Sequence, residues 1–324
     1  GLDEDDPRRL ALADKALRFE RLFHQLHAIG TGVNTEITVE TAEGRDAVAA
    51  FAALDGAADA SWDFAAATGS EVSEVVSSWG KVAGAYGGVG VAADAFRYAT
   101  LRQLGAPCDG VQRAQDFLLA DLEALHLATA ITGEPGVIAR GFARTDVPGT
   151  GQQAETVPLF DADGAPLPPE KTNGTWREDN SVDGAYPDYV WEDSCSRDQY
   201  VGWAIGIAAA WEVIADDPAF DDEIKQRLQQ DAAAMARSLM VVRERGYDLE
   251  IWDADGRATQ HAIMHENGAD TGYIPGVPNG FNALMALGIV AGLAYVAEDS
   301  EIYAYLEEQL IAERRLHEIA RDHV

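Results

Sequence analysis

Apolar positions recur at helical spacing along most of the chain. From Pro7, residues Leu10, Ala13, Leu17, Leu22, Phe23 and Leu26 repeat at helical intervals until Gly30, which predicts a helix of about five turns. Thr35 to Thr41 alternates polar and apolar residues and suits a short strand. Alanine-rich segments run on to about Phe64. The Ser-Glu-Val-Ser-Glu run from Ser70 resembles a helix cap, and the glycines at 84, 87, 88 and 90 are expected to break the helix it opens.

Three helix pairs follow. Residues of about 91–104 and 109–132 make the first, joined at Gly105-Ala-Pro-Cys. Residues 196–215 and 219–245 make the second, joined at Asp216-Asp-Pro, and 279–297 and 300–321 the third, joined at Glu298-Asp-Ser. Such short turns predict antiparallel partners. In the second and third pairs, one helix is rich in Ala, Gly and aromatics (Gly202 to Trp211; Asn279 to Gly288). Its partner is longer and amphipathic (Glu223 to Glu244; Glu301 to Arg321), which predicts an inner layer wrapped by an outer one. Between the pairs, Asp163-Gly164 and Asp255-Gly256 sit between short apolar runs, which is hairpin-turn chemistry. An EF-hand frame on Gly256 puts Ile251 first and Ala262 twelfth, where Asp and Glu are needed, so calcium is not expected at that turn.

Charge narrows the choice of partners. With 24 Lys+Arg against 55 Asp+Glu the formal charge is −31, which argues against a nucleic-acid or anionic-membrane partner. Only four lysines occur: Lys15, Lys81, Lys171 and Lys225. At 47% apolar residues the chain is nevertheless able to bury a large core, so it reads as globular. No run reaches the roughly 18–20 uninterrupted apolar residues of a membrane span, because the longest, Gly280 to Ala297, carries Asn282. Residue 1 is Gly, and no signal-peptide pattern precedes the acidic run Asp3 to Asp6, which suits a mature form. The acidic outer helices suggest a periplasmic or secreted setting. Cys108 and Cys195 permit one disulfide, although two isolated cysteines more often remain thiols.

Candidate chemistry gathers in three places. Tyr186 to Trp203 is the densest, with Trp191, Glu192 and Asp193 leading to Ser196, Arg197, Asp198, Gln199, Tyr200 and Trp203 on the first turns of a helix. A capped helix with an Arg–carboxylate pair is the structural alternative. Gly133 to Arg144 ends a long helix and carries Arg140 towards a cavity. Thr259 to Asn282 holds His261, His265, Glu266, Asn267 and Asn279. His261 and His265 are four apart, a spacing open to zinc on a helix, but His-Glu-x-x-His and its reverse are absent. No cofactor is therefore expected, with calcium and zinc as weak alternatives. There is also no Walker A loop, Gly-x-Ser-x-Gly elbow or Cys-x-x-Cys. Asp3-Glu-Asp-Asp and Asp216 to Asp222 are reminiscent of terpene-cyclase and diphosphate motifs, yet a solvated terminus and an inter-helix turn explain them better.

The turn Thr132 to Arg140, the run Trp191 to Trp203 and the helix from Asn279 to Leu284 resemble the (α/α) toroid superfamily of six-hairpin glycosidase and polysaccharide-lyase type. The resemblance is one of layout over about residues 70–324, not of a single family's catalytic motif. It implies one all-α toroid domain of consecutive antiparallel helix hairpins, spanning 1–324, with short β-hairpins in the loops. It also implies a carbohydrate substrate bound in a funnel where loops 145–192 and 246–278 gather. For glycosidic hydrolysis, two carboxylates flank the bond, and Asp198 and Glu266 are the candidates, with Glu192 and Asp193 in reserve. For β-elimination on a uronate, Tyr200 or His265 would abstract the proton while Arg197, Arg140 or an Asn neutralises the carboxylate. Arg140, Trp191, Glu192, Asp193, Arg197, Gln199, Trp203, His261, Asn267 and Asn279 are the candidate substrate-binding residues. The competing readings are a non-catalytic toroidal scaffold and terpene-cyclase-like chemistry on the same barrel type.

Overall fold

The computed structural model of the protein describes residues 6–29, 31–54, 62–268 and 277–323. The acidic run over residues 3–5, the helix stop at residue 30 and the segment 269–276 lie outside the described residues.

The chain is mostly helical. Helix α1 (Pro7–Leu22) starts where the Asp6 carboxylate accepts the Arg8 N–H, and it continues as a π-helical turn over Phe23–His27. Strand β1 (Ile37–Thr38), helices α2 (Ala42–Ala53), α3 (Phe64–Thr68) and α4 (Val72–Val75), and strand β2 (Ser78–Trp79) follow. They share a small core around Leu26, Phe51, Phe64 and Trp79. Strand β3 (Val82–Ala83) leads into α5 (Gly84–Gln103) and its partner α6 (Cys108–Ala130). Strand β4 (Gly141–Arg144), α7 (Thr150–Gln153), β5 (Trp176–Arg177) and β6 (Tyr189–Glu192) precede α8 (Arg197–Ile214) and α9 (Asp222–Met240). The hairpin β7 (Glu250–Trp252) and β8 (Ala258–Ile263) carries the Asp255-Gly256 turn, with Gly256 at φ +73°. The last elements are α10 (Gly280–Ala297), α11 (Ser300–Ala304), a π-helical stretch over Tyr305–Glu313, and α12 (Leu316–Asp322).

Helices α5, α8 and α10 lie side by side and run in the same direction. Near their starts, a Cβ on Gly88 would lie 1.8 Å from the Gly202 carbonyl oxygen, while Arg197 donates to the Asn282 side chain at 2.9 Å. Towards their ends, Tyr98 donates to Asp217 at 2.8 Å and Tyr295 donates to Glu212. Helices α6 and α9 pack behind them and meet each other through His126–Asp231 and Arg227–Glu123. The three parallel helices leave apolar side chains exposed, among them Val89, Phe96, Ile205, Phe281, Leu284 and Tyr295.

Three expectations change. The glycines at 84–90 do not break a helix; they begin α5, because the absent Cβ atoms let its backbone lie against Gly202, Trp203 and Gly206. That contact offsets a propensity cost of about 0.5–1 kcal/mol per glycine. The expected helix over 300–321 is interrupted at Arg315, whose φ of +56° is left-handed. Helix α10 does have the length and apolarity of a minimal membrane span, yet 56% of it is buried against the rest of the fold, including α8, α9 and α12.

Candidate functional site

A four-stranded antiparallel sheet of order β3-β4-β6-β5 assembles the site at the starts of α5 and α8. Lys81 precedes β3, Arg140 precedes β4, Trp176 opens β5 and Glu192 ends β6. The register sets Glu192 opposite both Gly141 and Trp176, and Arg140 N–H donates to the Glu192 carbonyl at 2.9 Å. Strand pairing thus brings together side chains that are scattered in the sequence.

These groups form a continuous polar chain. Lys81 Nζ contacts the Glu192 carboxylate, and Arg140 Nε lies 3.5 Å from the same carboxylate. Arg140 Nη1 donates to the Ser194 carbonyl at 3.1 Å and to Ser196 Oγ at 3.0 Å, and Ser196 Oγ donates to Asp198 Oδ1 at 2.5 Å. The chain links two cavities. One, of about 710 Å³, is lined by Lys81, Tyr86, Trp176, Glu192 and Gln199. The other, of about 350 Å³, is lined by Arg140, Ser196, Arg197, Asp198, His261 and Phe281.

Asp198 is the exposed carboxylate of this second cavity. Burial by itself would raise its pKa. The Ser196 hydroxyl, the N–H groups of Asp198 and Gln199, and Arg140 outweigh that and hold it below the usual carboxylate value. Its place in the first turn of α8 adds the favourable end of the helix dipole. Asp198 is therefore an acceptor and a base, not a stored proton.

The remaining candidates divide sharply. Gln199 lines the larger cavity, and its Oε1 accepts Ala85 N–H at 2.8 Å. Arg197 lines the smaller one while donating to the Ile263 carbonyl at 3.1 Å and to Asn282. Glu266 lies elsewhere: it is buried against Arg314, whose Nε donates to it at 3.0 Å, and His265 Nδ1 is 3.3 Å away. Burial opposes ionisation there, but the Arg314 contacts prevail and keep Glu266 low, while burial pulls His265 down. Asn267 is exposed beside that group, and Asn279 caps α10 by accepting Asn282 N–H at 3.1 Å.

Four aromatic or acidic candidates are structural in position. Tyr200 is fully buried, its hydroxyl donating to the Met235 carbonyl at 3.4 Å, and burial pushes its pKa far up. It has no access to a substrate, so it does not serve as the base considered for β-elimination. Trp191 is buried with Nε1 on the Glu178 carbonyl at 2.9 Å, and Trp203 is buried with Nε1 on the Ala139 carbonyl at 2.9 Å. Neither presents a ring face to a sugar. Asp193 is also fully buried, bound by Arg177 Nη2 at 2.6 Å and Lys171 Nζ at 3.0 Å. Lys171 reaches Asp253 at 2.6 Å and Asp255 at 3.1 Å as well. The Asp255 turn is thus occupied by an ammonium group, and Asp161 Oδ1 at the other turn accepts the N–H groups of Asp163 and Ala165. His261 and His265 have separate surroundings. Among the described residues, no group of three or more His, Cys, Asp and Glu side chains is placed to hold a metal ion. Cys108 and Cys195 are both free, one exposed and one buried.

Sequence reasoning passed over Lys81 as a site residue, and it placed Ser196 in the polar cluster without giving it a role. Lys81 carried a signal, since it is one of only four lysines in a strongly acidic chain. Comparison of the chain with protein-family models, curated proteins and solved structures finds no match.

Proposed function

We propose that the protein is a carbohydrate-active enzyme that cleaves a glycosidic bond in an oligo- or polysaccharide by carboxylate acid/base chemistry. The observation that carries this reading is the chain Lys81–Glu192–Arg140–Ser196–Asp198 across two adjoining cavities. Two cavities joined by a polar chain that carries Glu192 and Asp198 suit an extended polyhydroxylated substrate, and Trp176, Tyr86 and Phe281 are among their lining residues. Asp198, held ionised, takes the base or nucleophile role. Glu192 replaces Glu266 as its partner. Its proton-donor role requires the bound substrate to draw both Lys81 and Arg140 away from it.

The scaffold reading is the (α/α) toroid. It is supported by three parallel helices, each followed by a returning partner, with the cavities at the starts of the parallel set. In a closed ring of such pairs, the exposed apolar side of α5, α8 and α10 would line the axis.

β-Elimination on a uronate is the second reading, favoured by Arg140, a cation that lines the same cavity as His261 and Asp198. The test is a panel of neutral and acidic polysaccharides assayed for new reducing ends and for ultraviolet absorption of unsaturated uronates. Reducing ends without absorption, lost in Asp198→Asn and Glu192→Gln, support hydrolysis. Absorbing products that require His261 support the lyase. Full activity in all three variants, or no product from any glycan with the parent protein, defeats the enzymatic reading and favours a binding scaffold.

A further inference from the structure

Phe23, Gly32, Asn34, Gly90, Asp94 and Asp121 are among the walls of an enclosed cavity of about 40 Å³ between the π-helical turn after α1, the loop after it, α5 and α6. Asp121 is 0% exposed, and both of its carboxylate oxygens are without a hydrogen-bond donor. The Asn34 amide oxygen is likewise buried and without a donor. Buried oxygens left in this state are rare, because each has given up its hydration. Three of them share one cavity with a second carboxylate, Asp94, and the His24 ring 3.1 Å from Asp94 leaves the Asp121 and Asn34 oxygens without a cation or a donor.

The backbone is shaped to bring these oxygens together. Gly32, at φ +77°, passes so close to α6 that a Cβ would lie 2.3 Å from the Ala120 carbonyl oxygen. A Cβ on Gly90 would lie 2.5 Å from Asn34 Oδ1, so the glycine in α5 leaves that oxygen its place. His24, itself a wall of the cavity, places Nε2 3.2 Å from Asp94 Oδ1 and orients that carboxylate.

We propose that this cavity binds one hard divalent cation of calcium type, through the carboxylates of Asp94 and Asp121 and the amide oxygen of Asn34. The proposed ligands are all oxygen, with the His24 imidazole nitrogen engaged by Asp94, and an oxygen set of this kind suits calcium better than zinc or copper. The volume accommodates an ion with one or two waters completing its shell. Asn34 and Phe23 also line the 710 Å³ cavity, so the ion fastens the wall of the candidate site. The competing occupant is a proton: burial, and then the Asp94 carboxylate, push the Asp121 pKa well up.

The test uses the full chain stripped with EDTA and titrated with calcium chloride by calorimetry, alongside melting curves in calcium, magnesium and sodium chlorides at matched ionic strength. The expected result is one calcium per chain with Kd of about 10⁻⁵–10⁻³ M, and a higher Tm that sodium does not reproduce. Asp121→Asn should weaken calcium binding by about tenfold or more while its Tm in EDTA stays near the parent's. No calcium isotherm, with superimposed parent melting curves in calcium and EDTA, overturns the proposal and assigns Asp121 a proton shared with Asp94. If Asp121→Asn does not fold, Asn34→Ala decides: undiminished calcium affinity in that variant removes the site from this cavity.

Discussion

Gly88 and Gly202 meet backbone to backbone, with the Gly202 carbonyl oxygen 1.8 Å from where a Gly88 Cβ would stand. Gly88→Ala should therefore force α5 and α8 apart and cost about 1–3 kcal/mol or more. Gly110, inside α6, has open space around it, so Gly110→Ala should stabilise by about 0.5–1 kcal/mol. Urea denaturation of both variants checks the pair. Equal effects would mean that helix propensity, not the α5–α8 contact, governs these positions.

Glu266 and Asp198 should separate cleanly by assay. Glu266→Gln should leave the proposed glycan cleavage intact but lower stability by about 1–3 kcal/mol, because Arg314 loses a charged partner. Since the folded pKa of Glu266 lies below its ordinary value, its contribution is present above pH 4.5 and disappears as pH falls through the folded value. The Gln variant should lack that part of the acid-side loss. Asp198→Asn should keep the parent's stability and lose activity by roughly 10²–10⁴-fold.

Arg177 is buried and holds a long segment in place. It donates to the carbonyls of Val157, Pro158 and Leu167 at 3.0, 2.7 and 2.6 Å, and to Asp193. Arg177→Met should cost about 3–5 kcal/mol by leaving Asp193 short of a buried partner. Limited proteolysis should then cut within residues 155–175 faster than in the parent. Unchanged Tm and cleavage would show that Lys171 alone suffices.

Asp253 predicts an unusual pH response. Burial raises its pKa to about 6, despite Lys171 beside it. A carboxyl raised in the folded state contributes stability below its unfolded value near 3.8, and that contribution is lost as pH rises through about 6. Relative to Asp253→Asn, the parent should gain stability as pH falls from about 7 to about 4. Melting temperatures across that range decide it, and a constant difference between the two proteins would show that Asp253 stays ionised.

The cysteines offer the simplest check. Cys108 is exposed and Cys195 is buried, with burial pushing its thiol far up. One thiol should react with a disulfide reagent in the native protein and a second only after denaturation.

The long helices were legible because their signals are local. The apolar spacing and short turns that predicted segments near 109–132, 196–215 and 279–297 survive as α6, α8 and α10. The glycines of α5 were misread because the contact that rewards them comes from Gly202 and Gly206, far along the chain. Among the acids, Asp198 was singled out from its position on the first turn of a helix, and it lines a cavity there. Glu266 looked equivalent, since nothing near it in sequence announces Arg314. Trp191 and Trp203, candidate substrate-binding residues in the sequence, are buried, because burial depends on neighbours from other segments.

Amino-acid order alone determined the helical class, the paired layout, the acidic surface and the segments in which polar chemistry gathers. These follow from periodicity, capping and charge, which act over a few residues. Tertiary structure decided which carboxylates are free and which are bound by cations. Lys81 and Arg140 reach Glu192 through strand pairing, Arg314 takes Glu266, and Lys171 with Arg177 takes Asp193. The physical reason is that an ionised group's behaviour is set by burial and by charges within a few ångströms, and those neighbours are brought together only when the whole chain packs.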